Sequence, residues 1–65
     1  MRERKFKREL KRVRNMTLAQ LQKEARRNKR LLRSALAARL RHAYTQRKSL
    51  SRAYGREIAR RLSAK

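Results

Sequence analysis

The residues that could do chemistry in this chain are few. His42 is the one histidine, there is no cysteine, and the acids are four: Glu3, Glu9, Glu24 and Glu57. General acid–base work needs a base near neutral pKa with a second group to orient it. No carboxylate stands three or four residues from His42. Nucleophile–base pairings and glycine-rich phosphate loops are also missing, since Gly55 is the only glycine. A single histidine without cysteines builds no structural metal site. The sequence therefore predicts no enzyme, no cofactor, no metal site and no small-molecule substrate.

What remains is charge. Lysine and arginine number 23 against four acids, a formal net charge of +19 over 65 residues. Charge of that density is the electrostatic footprint of a nucleic-acid binder, because each phosphate neutralised releases a condensed counterion. A membrane surface also attracts basic helices, but the longest apolar clusters are Leu31–Leu32 and residues 35–38, tryptophan is absent and Phe6 is the sole phenylalanine. Those features argue against a spanning helix and against an interfacial one, so no membrane partner is expected. The first residues lack an apolar secretory core. Their arginine-rich bias resembles a transit peptide, but it continues to the last residue and says little about targeting.

These side chains need elements to hold them. There is no proline and no hairpin-closing turn pair, and the prevailing residues are good helix formers. The expected fold class is all-α: an antiparallel two-helix hairpin over residues 15–65, preceded by a basic, helical N-terminal extension over residues 1–14. In the extension Phe6, Leu10 and Val13 recur at four and three residues, a narrow apolar stripe. "TLAQ" reads as a capping box, with Thr17 and Gln20 each satisfying the other's backbone amide. The first hairpin helix is expected over about residues 18–43 and the second over about 48–63, with Thr45 or Ser49 as caps of the second; nothing at residues 43–49 forces a turn, so a continuous or bent helix laid on RNA is the alternative.

One face of the first helix carries Leu18, Leu21, Ala25, Leu32, Leu36 and Leu40, with Asn28 as a polar gap. The second carries Leu50, Tyr54, Ile58 and Leu62 at four-residue spacing. Two such stripes ask to cover one another, which makes these ten residues the expected helix–helix core. Tyr44 and Tyr54 read better as hairpin core than as platforms for unpaired bases. The core is thin for the task. Ordering each residue costs about 1.5 kcal/mol, so on the order of 100 kcal/mol opposes folding, and the charge adds self-repulsion. The isolated chain is expected to be poorly ordered until a polyanion neutralises it.

The expected RNA contacts follow from the faces left over. On the extension they are Arg8, Lys11, Arg12 and Arg14. On the first helix they are Lys23, Arg26, Arg27, Arg30, Arg33 and Arg41. At and along the second they are Arg47, Lys48, Arg52, Arg56, Arg60 and Arg61. Arg56 and Arg60, four apart, share a face. Glu57 has Arg60 and Arg61 within helical reach, so its expected role is to orient an arginine. Gly55 reads either as a point of close approach to another helix or an RNA backbone, or as a tolerated surface glycine.

Two segments carry a family resemblance. "RNMTLAQLQKE" and "GREIARRLS" resemble the two ends of the universal ribosomal large-subunit protein twenty-nine family. Val13, Arg14, Met16, Thr17 and Leu21 match its first pattern, and Arg56, Ile58, Ala59 and Arg60 its second. The resemblance runs from Val13 to the end of the chain. It departs in "ARRNKRLLRSALAARLRHAYTQRKS", which is more basic than the family and lacks its frequent turn glycine, and in the added residues 1–12. The resemblance implies a helical hairpin bound to ribosomal RNA near the peptide exit tunnel, beside large-subunit protein twenty-three, in a cytoplasmic or organelle ribosome. The alternatives are a virion or nucleoid packaging protein, or a ribosomal protein of another, including organelle-specific, family.

Overall fold

The Thr17–Gln20 pair sets the middle of the fold. In the computed structural model, which describes residues 2–64, the Gln20 amide donates to Thr17 Oγ1 at 3.1 Å and the Thr17 amide to Gln20 Oε1 at 3.0 Å. Both donors would otherwise be orphans of a helix start. Met16, just before the cap, and Leu21, four residues past it, lie in the same buried cluster, a hydrophobic staple fixing how the chain enters the helix.

The fold is all-α. α1 spans Glu3–Arg12 and runs into a single 3-10 turn, Val13–Asn15. α2 spans Leu18–Ala37 and α3 spans Arg41–Ser63. Glu3 sits in the first turn of α1 and Lys11 and Arg12 in its last, the arrangement the helix dipole favours. α2 and α3 form an antiparallel hairpin, and α1 folds back against α3. The assembly is a slab of 40 × 22 × 14 Å, so little of the chain is far from solvent.

The hairpin turn lies earlier than its sequence suggests. Instead of a first helix reaching residue 43 and a break across 43–49, α2 stops at Ala37 and the chain reverses over residues 38–40. The Leu40 amide donates to the Ala35 carbonyl at 2.9 Å and the Arg39 amide to the Leu36 carbonyl at 3.1 Å. This is the Schellman pattern, which requires a left-handed residue just past the cap. Arg39 fills that place at φ 57, where glycine is the usual occupant. Thr45 and Ser49 lie inside α3 and cap nothing. Thr45 Oγ1 instead donates back to the Arg41 carbonyl at 3.0 Å.

The early turn rearranges the core. Leu21, Leu50 and Tyr54 are buried, joined by Val13 and Met16, while Phe6, Leu10, Ala25, Ala53 and Ile58 pack around them. Leu18 and Leu32 are half-buried. Leu36, Leu40 and Leu62 are 61%, 56% and 52% exposed and stand outside the core expected of them. A four-residue step drifts off a seam between two paired helices, which repeats at about 3.5 residues. The actual seam on α2 is Leu21, Ala25, Asn28, Leu32 and Ala35, in alternating steps of four and three. Leu36 is one position off it, and Leu40 lies in the turn itself. On α3 the seam takes Gln46, Leu50, Tyr54 and Glu57, and Leu62 is turned away because Arg61 takes the inward place beside it.

The expected extension is thus part of the globule. A boundary after residue 14 cuts through the 3-10 turn, whose Val13 is 4% exposed in the main cluster. The apolar stripe of Phe6, Leu10 and Val13 covers the seam at the end where α3 outruns α2.

A non-glycine residue in the left-handed region costs about 1 kcal/mol. Arg39→Gly relieves that strain while loosening the unfolded chain, so it is expected to stabilise the chain by about 0.5 kcal/mol net, read as a higher urea midpoint of the helical signal in sulfate buffer. An unchanged or lower midpoint would show that the turn is not left-handed at Arg39 in solution.

Candidate nucleic-acid interface

The cations divide by what already holds them. Every described lysine and arginine is exposed except Arg47 and Arg61, which are half-buried. On α1, Arg8 and Lys11 are exposed, and Arg12 Nη1 donates to Glu9 Oε1 at 2.9 Å. Arg14 is exposed on the 3-10 turn. Lys23, Arg26, Arg27, Arg30 and Arg33 project from α2, with Arg26 Nε reaching the Gln22 carbonyl at 3.4 Å. Arg41, Lys48, Arg52 and Arg56 project from α3. Arg2, Arg4, Lys5, Lys7, Lys29 and Arg39 are equally exposed, so the basic surface extends beyond the predicted set.

Arg47 is a structural cation rather than an open one. Its Nη1 donates to Asn28 Oδ1 at 3.3 Å, while Asn28 Nδ2 donates to the Arg47 carbonyl at 2.8 Å. The polar gap expected at Asn28 is therefore a buried, reciprocally bonded pair across the hairpin, with Asn28 only 2% exposed. One buried asparagine in a helix seam penalises every register that unpairs it. Gln46, next to Arg47 in sequence and 4% exposed, has its Oε1 buried without a partner among the described residues.

Arg60 and Arg61 are likewise engaged. Arg60 Nη2 and Nε donate to the two oxygens of Glu57 at 2.6 and 3.1 Å, a bidentate pair. Arg61 Nε donates to Glu57 Oε1 at 3.0 Å. The far Nη2 of Arg61 then reaches the carbonyls of Val13 at 3.4 Å and Arg14 at 3.0 Å. Glu57 thus orients two arginines, and one of them closes the end of α3 onto the 3-10 turn. Arg56, by contrast, is free to meet a phosphate, so the pair Arg56 and Arg60 is not a matched grip. Gly55 is exposed and a Cβ there would meet nothing within 4 Å among the described residues, so no described helix makes a close approach to it.

The aromatics separate in the same way. Tyr54 is buried in the core cluster. Tyr44 is half-buried near the turn, with Lys48 Nζ 5.8 Å above its ring centroid, a cation–π contact. His42 is exposed. Among the described residues no three His, Cys, Asp or Glu side chains come together as metal ligands, and no helix is long and apolar enough to cross a membrane.

The Glu57 clasp makes a pH prediction. Hydrogen bonds from Arg60 and then Arg61 hold its carboxyl well below the ordinary 4.5, at about 2. A carboxyl depressed on folding contributes stability that is complete above about 4.5 and is lost as pH falls through about 2. The Glu57 carboxyl carbon shift, followed by NMR in the full chain, is expected to titrate near the lower value. A midpoint at the upper one would mean the clasp is open in solution.

Comparison with protein-family profiles, with characterised proteins and with solved structures finds no match for this chain.

Proposed function

We propose that this chain is a structural, non-enzymatic RNA-binding protein of the ribosomal large subunit, as its resemblance to the protein twenty-nine family implies. The observation that carries the reading is the division of its cations. A small set is spent on the fold, and an arginine-rich shell on all three helices forms no ion pair among the described residues. Such a shell suits phosphates arriving from several RNA segments at once. Arginine forks bridge them while the packed seam keeps the helices in register. A-form RNA is met largely through its shape and backbone, which asks for no base-reading helix in a groove. Neighbouring ribosomal proteins, large-subunit protein twenty-three among them, are the natural partners for the exposed Leu36 and Leu40.

The test is incorporation. Full-length chain added to ribosomes is expected to cosediment with the large subunit at unit stoichiometry through a salt-washed sucrose gradient. Titration in proportion to nucleic-acid mass would point instead to a packaging protein. On RNA fragments, log affinity against log salt should fall with a slope of about −0.7 per phosphate contact on single strands.

Two variants separate scaffold from charge. Ile58 packs on the core cluster, so Ile58→Asp places an unpaired charge against the seam and is expected to abolish incorporation. Arg33→Ala removes one exposed cation among many and should weaken it only slightly. Equal incorporation of the two would show that binding needs no folded seam.

A further inference from the structure

The three helices leave a cleft of about 340 Å³ between them, at the small end of the range of about 300–1,000 Å³ over which pockets hold ligands. Its apolar lining comes from Leu31 of α2 and from Leu50 and Tyr54 of α3. Its polar lining is unlike the rest of the surface. Glu9 of α1 and Glu24 of α2 both open into it, two of the four acids in the whole chain. Lys5, Arg12, Arg27 and Arg47 stand among them, with Asn28.

Glu24 is the decisive residue. It is half-buried and, alone of the two, forms no ion pair among the described residues, although arginines crowd the molecule. Glu9 is already held by Arg12. Tyr54 lines the same cleft, and burial, then the charges of Glu9 and Glu24, push its hydroxyl above its ordinary pKa.

Arg12 is held by Glu9 and Arg47 by Asn28, and a bare phosphate, which brings no donor, would leave the Glu24 carboxylate unpaired. A neutral ring with adjacent N–H donors on one edge and acceptors on another is the right occupant. Guanine alone among the RNA bases offers N1–H and N2–H₂ side by side, the pair a carboxylate accepts together. Its O6 and N7 meet lysine or arginine. Unpaired RNA bases are commonly splayed out and read on these edges.

We propose that the cleft between α1, α2 and α3 takes one unpaired guanine base, its N1–H and N2–H₂ edge on the Glu24 carboxylate and its O6 and N7 edge toward the flanking cations. This rests on the RNA-binding reading above and adds to it a point of sequence preference. The surrounding arginines hold the backbone on either side, and the base fixes where along the RNA the protein sits.

The test uses the full chain and Glu24→Gln with three RNA hairpins of identical stem, whose single variable loop nucleotide is guanosine, inosine or adenosine. Inosine lacks only the 2-amino group. Wild type is expected to bind the guanosine loop about tenfold more tightly than the other two. Glu24→Gln removes a negative charge, so electrostatics alone would strengthen its binding to every RNA. The proposal requires instead that it lose the guanosine preference and bind all three loops alike. Tight but equal binding of the three loops by wild type, or a preference that survives in Glu24→Gln, overturns the guanine site and leaves RNA binding standing. No binding to any of the three at low salt overturns both.

Discussion

The Glu57 carboxylate between Arg60 and Arg61 is the contact on which the arrangement of the three helices turns. In a chain of +19, two adjacent guanidiniums near the end of α3 would repel each other and everything basic around them. One carboxylate, 7% exposed, offsets half the charge of the pair and fixes the plane of each fork. With Arg61 so held, its Nη2 reaches the Arg14 carbonyl and the Val13 carbonyl, the latter already accepting from the Met16 amide. That contact brings Val13 and Met16 against Leu50 and Tyr54, and the position of α1 follows from it.

The same charge decides the character of the seam. A 65-residue chain with so many cations has few large apolar side chains to bury, and the helix pairing draws on alanine and on polar residues. Asn28 and Arg47 make a virtue of this, since each satisfies the other across the hairpin and a register slip would strand both. Gln46 is the counterpart without compensation, a buried acceptor with no partner among the described residues. Toward the turn the seam thins to Ala35, and Leu36 and Leu40 spill outward.

Several features were legible in the sequence because they are local. The Thr17–Gln20 box is written in adjacent residues, and Leu50 and Tyr54 sit at a spacing that any helix would bring to one face. Glu57 within a turn of Arg60 and Arg61 foretold its pairing. What escaped was whatever depends on the fold as a whole. The turn is invisible because Arg39 adopts a left-handed conformation that nothing in its side chain announces. A four-residue rule carried Leu36, Leu40 and Leu62 into the core, when paired helices keep a shorter average step. The cleft was hidden because Glu9 and Glu24 meet only after α1 folds back, and no spacing between them encodes that.

The two long-range ties also differ in the length of chain they close. Asn28 and Arg47 are 19 residues apart, whereas Arg61 and Arg14 are 47 apart. Closing the longer loop from an open chain costs only about 0.8 kcal/mol more by the logarithmic rule, but that tie acts on groups the hairpin has already placed. The natural order of assembly is hairpin first and α1 second, from local contacts to distant ones. The first helix in the chain is then the last to arrive, and with it the third wall of the cleft. Whatever fills that space binds only the finished arrangement, and by mass action draws the last step to completion.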